Sequence, residues 1–167
     1  LAVWGDTTFI LKGQLEILIE NMLLGAVLVF LILGLFLQMR FALWVLVGLP
    51  FAFLGAFMCL PLVGVSINMM SLFAFILVLG IVVDDAIIIA ESSYAETELH
   101  GYTTANVVRG AQKVALPATF GVLTTVMAFA PNLFTTGPAA GATQAMSWVV
   151  VFCLLFSLIE SKLILPS

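Results

Sequence analysis

The chain has 167 residues, of which 63% are hydrophobic and 8% charged, with a mean hydropathy of +1.28. A soluble domain carries roughly a quarter charged residues, so this chain cannot face water on all sides and reads as an integral membrane protein. The net charge of −4 leaves no polybasic surface, which excludes nucleic acid as a partner.

Five apolar runs are long enough to cross a bilayer, for which about 20 residues suffice. They cover residues 17–37, 41–62 (with Pro50 inside), 67–90, 115–134 and 145–165. Spanning segments must satisfy their backbone internally, so runs of this length predict helices. The expected fold is an all-α integral membrane protein: a bundle of five transmembrane helices plus an interfacial amphipathic helix. Residues 1–16 form a lead-in, in which Asp6 to Glu20 shows a weak surface-helix pattern, and 166–167 form a short tail. The chain starts at Leu1, has no signal-peptide layout and is expected to be an internal piece of a longer protein.

The connections alternate in character. Residues 38–40 end in Arg40, and 61–66 are short and uncharged. Residues 91–114 are polar and hold His100, Arg109 and Lys113, and 135–143 are small and uncharged. Arg40, Arg109, Lys113 and Lys162 therefore fall on one side if the runs cross in order; only Lys12 departs from the pattern. The positive-inside rule places 38–40, 91–114 and the C-terminal end in the cytoplasm, with the N-terminal end outside. Within 91–114, residues 103–116 put Val107, Val108, Ala111, Val114 and Ala115 on one face and charges on the other, the pattern of a helix lying at the cytoplasmic interface.

The third run contains Asp84 and Asp85 in the stretch GIVVDDAIII (80–89). A charged Asp at the centre of a span costs roughly 2.5–3.5 kcal/mol, and adjacent like charges with poor solvation favour keeping at least one proton. Neighbouring helical residues point about 100° apart, so both can face a crevice between helices. Gly80, one turn earlier, is expected to admit a neighbouring helix closely. Such a pair suits a proton carrier whose affinity changes as a countercharge approaches or leaves. A purely structural alternative is that it caps a helix break or pairs with a buried base, but the runs contain no Lys or Arg deep enough.

Other chemistries fit poorly. An intramembrane aspartyl protease needs acids on two helices, and no second mid-helix acid is evident. A metal site would want more carboxylate or histidine ligands. No Ser-His-Asp or Cys-His set and no phosphate loop is present, so the chain does not read as an enzyme, and no cofactor beyond protons as the coupling ion is expected. Cys59 and Cys153 read as small packing residues, and His100 as solvated. Glu91 reads as an interfacial acid. Thr124 and Thr125 are expected to bond their own helix, and Ser66 and Asn68 to cap the third helix.

GVSINMMSLFAFILVLGIVVDDAIIIAES (64–92) resembles the fourth transmembrane helix of resistance-nodulation-division (RND) efflux transporters of the AcrB/AcrD/AcrF-like hydrophobe/amphiphile branch. Residues 20–57 resemble that family's second and third helices, 110–141 its interfacial segment and fifth helix, and 154–167 the end of its sixth. The resemblance implies helices two to six of the N-terminal half of a twelve-helix pump in the bacterial inner membrane. It implies a homotrimer with a C-terminal half, a periplasmic adaptor, an outer-membrane channel and surrounding lipid as partners. Asp84 and Asp85 match the family's paired proton-binding acids. The lysine that family places on its tenth helix is not in this stretch, nor are the periplasmic substrate domains. Two other readings stay open: a superfamily member moving lipids or proteins, and a non-transport structural or sterol-sensing bundle.

Overall fold

The computed structural model describes residues 3–36, 39–65 and 68–163. It consists of five long helices: α1 (Val3–Phe36), α2 (Met39–Cys59), α3 (Met69–His100), α4 (Thr104–Phe129) and α5 (Ala140–Leu163). Short 3-10 turns at Leu60–Val63 and Ala130–Phe134 follow α2 and α4. The described residues contain no strand, and all five helices are long and apolar enough to cross a membrane. The all-α fold expected from the hydropathy is the fold observed.

Local chemistry sets the helix ends. Pro61 lies in the first turn of the 3-10 segment after α2, and Gly64 closes it at φ 72°, a left-handed conformation that glycine adopts without a Cβ clash. Asn68 then caps α3: its Oδ1 accepts from the Ser71 backbone N–H at 2.9 Å, while Ser71 Oγ accepts from the Asn68 N–H at 2.8 Å. This reciprocal box satisfies two of the amides that a helix start leaves open. Ser66, the other expected cap, lies outside the described residues, as do Leu37 and residues 164–167. At the far end of α3, Gly101 takes φ 91° and its N–H returns to the Thr97 carbonyl. Asn106 Nδ2 donates to the carbonyls of His100 and Gly101, tying the start of α4 to the end of α3.

Several helices run past the apolar stretches. α3 continues ten residues beyond Ala90, because nothing in residues 91–100 breaks a helix before Gly101. α1 runs without interruption from the lead-in into the first apolar run. Residues 104–116 are not a separate element either: they form the first half of α4, continuous through Pro117 to Phe129.

α3 is the hub and packs against each of the other four helices. Its core side chains, Leu72, Phe75, Val78 and Val82, are buried against α2 and α5. Phe75 stacks on Phe57 of α2 with ring centres 4.2 Å apart, and Phe53 lies tilted beside it at 5.6 Å. Between membrane helices, close van der Waals fit replaces hydrophobic expulsion as the main attraction, so small residues mark the tight crossings. Gly55 faces the Phe156 ring, which a Cβ would approach to 2.6 Å, and Gly110 of α4 meets the backbone of Ser92 and Ser93. The crossing expected at Gly80 is not there: nothing lies within 4 Å of a Cβ built at that position. Gly80 lies on the open side of α3, one turn from Asp84, which is also exposed.

Candidate functional site

The capping box starts α3 at Met69, and the core stripe of Phe75, Val78, Val82, Ala86 and Ile89 fixes its rotation against α2 and α5. That rotation separates the two acids. Asp84 points to the uncovered side and is exposed, while Asp85 is half-buried. Asp85 lines a cavity of about 290 Å³ between α3, α4 and α5, together with Gln112, Thr119, Ser157, Ser161 and Lys162. Among the described residues, neither aspartate forms an ion pair or hydrogen bond. Lys162, one of the bases that the sequence puts on the cytoplasmic side, lies on α5 and lines the same cavity.

Asp85 thus occupies a partly polar chamber with hydroxyl groups on its walls. Such a chamber is roomy enough for water, and its polar groups suit water-borne proton exchange. Asp84, on the open face, can be approached by a group from outside this chain.

A further buried acid was missed in the sequence. Glu160 of α5 is 1% exposed, and its Oε1 has no hydrogen-bond partner. Its carboxyl fills the space in front of Gly48 on α2, where any side chain would overlap it. Glu160 sits near the end of its apolar run, beside Ser161 and Lys162. The available signal was a glycine on a helix that packs against α5.

Where α3 meets α4, another acid is paired. Glu96 is 3% exposed and accepts a short hydrogen bond from Lys113 Nζ. Arg109 Nη1 lies 3.8 Å and His100 Nδ1 3.4 Å from its Oε1. Lys113's hydrogen bond holds the Glu96 carboxyl below its ordinary range; burial opposes this, and the positive charges of Lys113, His100 and Arg109 add to it. His100, read as merely solvated, is half-exposed but takes part in this cluster. Nearby, Ser92 Oγ donates to the Gly110 carbonyl at 2.7 Å, so the tight α3–α4 crossing carries a hydrogen bond. As expected, Thr124 and Thr125 donate to carbonyls of their own helix, and Glu91 is exposed.

Five membrane-length helices with an acid pair within the third define a polytopic helical membrane protein. The chain belongs to the AcrB/AcrD/AcrF family, whose model it matches over residues 1–167. It is 28% identical over 164 residues to the toluene efflux pump membrane transporter TtgE of Pseudomonas putida. It is 29% identical over 164 residues to the solvent-resistant pump membrane transporter SrpB of Pseudomonas putida. It is 29% identical over 166 residues to the multidrug resistance protein MdtF of Escherichia coli. Each match covers 97% of this chain and 16% of the relative, so the chain spans about one-sixth of the length of these relatives.

Proposed function

We propose that this chain is part of the proton-translocating membrane domain of a drug/proton antiporter driven by the proton-motive force. In this reading Asp84 and Asp85 bind and release the driving protons. The observation that carries it is an adjacent acid pair within an apolar helix, one member lining a polar chamber and the other open to a partner. Intramembrane carboxylates without partners are costly enough to be retained mainly for function.

In this reading protonation removes the need for a countercharge, and the helices shift between two arrangements whose balance the proton sets. The exposed side of Asp84 is where the C-terminal half of the transporter would bring its cation. The family supports a homotrimer in the bacterial inner membrane working with a periplasmic adaptor and an outer-membrane channel. The basic residues Arg109, Lys113 and Lys162 support a cytoplasmic location for the end that carries them. The names of the relatives support hydrophobic solvents and drugs as exported compounds.

The test is Asp84→Asn and Asp85→Asn, singly, in the full-length transporter. Each is expected to abolish proton-driven efflux while expression and trimer assembly persist. Normal efflux in either variant would overturn the reading.

A further inference from the structure

We propose that Glu160 is a third proton-binding carboxyl of the membrane region, held between α2 and α5 and able to exchange its proton only when those helices part. The inference deepens the proton-coupled reading above and rests on it for its transport consequence.

The geometry carries the argument. Glu160 is 1% exposed, and Oε1 is sealed from solvent without a hydrogen-bond partner. An ionised carboxylate in that setting lacks both water and a countercharge, and the neutral acid is the form that fits. The space is shaped for it: Gly48 has no side chain where the carboxyl lies, and a Cβ there would also come within 2.7 Å of Oε2. Asp84 lies open to a partner from elsewhere in the protein, whereas Glu160 is enclosed, with Oε1 sealed against α2.

Among the described residues, none forms an ion pair with Glu160. On α5, Lys162 is exposed and lines the Asp85 cavity. On α3 the acids are Asp84, Asp85, Glu91, Glu96 and Glu98, and His100 and the α4 bases Arg109 and Lys113 are gathered at Glu96. On α2 the one charged residue is Arg40, eight residues from Gly48 and so about 12 Å along the helix.

Glu160 is also placed near the path. Ser157 and Ser161, three residues before it and one after, line the chamber of Asp85. Uptake would form one O–H bond on a Glu160 oxygen. Release would return the proton to water and leave the anion, which must then be solvated or paired in the parted state. Closure of α2 on α5 would favour the neutral form again. Glu160 would thereby link helix movement to proton occupancy.

The experiment uses the full-length transporter. Infrared spectra of wild type at neutral pH are expected to contain a protonated-carboxyl band that Glu160→Gln removes. Efflux in proteoliposomes under an imposed pH gradient should be lost in Glu160→Gln and partly restored in Glu160→Asp, with a displaced pH profile. An unchanged carboxyl spectrum, or wild-type efflux with an unaltered pH profile in Glu160→Gln, overturns the proposal. If Glu160→Gln fails to assemble, Glu160→Asp decides: a shifted band supports the proposal and an unshifted one overturns it. Asp85→Asn run in parallel separates the two readings. If it also transports normally, proton coupling through the pair has failed, and the infrared band alone decides whether Glu160 holds a proton.

Discussion

The backbones of Gly110 and Ser93 touch, and no side chain fits at position 110. A Cβ there would overlap the Ser93 Cα and lie 2.6 Å from the Ser92 carbonyl oxygen, and neither backbone atom can move independently of its helix. Gly110→Ala is therefore expected to push α4 off α3, at about 1–3 kcal/mol as for other overpacked sites. The Ser92–Gly110 hydrogen bond should be lost with it. Thermal unfolding of the detergent-solubilised protein reads the effect, and unchanged stability would mean the helices are further apart.

The Glu96 cluster predicts a dependence on acid. Its folded carboxyl titrates below the ordinary 4.5 because Lys113 donates to the ionised form. A depressed value means the contribution to stability is full above 4.5 and is lost as pH falls through the lower folded value. Glu96→Gln should flatten that acid limb and lower the melting temperature at neutral pH. Melting curves of wild type and variant that stay parallel down to acid pH would contradict this.

Removal of the α3 cap should be felt locally. Asn68→Ala deletes the acceptor for the Ser71 amide and is expected to cost about 1 kcal/mol. Hydrogen exchange should rise at residues 69–72 and remain unchanged past Phe75. A uniform rise along α3 would indicate that the cap holds more than the first turn.

The two cysteines should differ in reactivity. Cys153 is fully buried and Cys59 partly open. A small maleimide is expected to label Cys59 at least about tenfold faster in native membranes, since buried thiols are inert. Equal rates would show that α5 opens on the labelling timescale.

The five helices could be read from run length, but their ends could not. Hydropathy marks where a helix can contact lipid, whereas α3 stops where Gly101 allows the chain to turn. The acid pair stood out because it interrupts an apolar run. Which acid would face the chamber was not visible, because both lie on helix faces that could border a crevice. Glu160 was overlooked because its burial depends on Gly48, more than a hundred residues away in the chain. The glycines carry the same lesson: Gly80 looked like a crossing and is open, while Gly48, Gly55 and Gly110 make the tight fits. A glycine permits close approach, and only the partner helix decides whether the approach occurs.

α1 runs unbroken from Val3 to Phe36, and Leu18 is its one contribution to the buried core among the described residues. The part ahead of residue 17 rises about 21 Å as a stiff rod. Without a hinge, rocking this helix by about 10° in the bilayer sweeps its far tip by about 4 Å. α1 is in effect a lever held along its inner half, where Leu18, Gly25 and Phe30 pack, and a domain joined at the tip would receive displacement in place of charge.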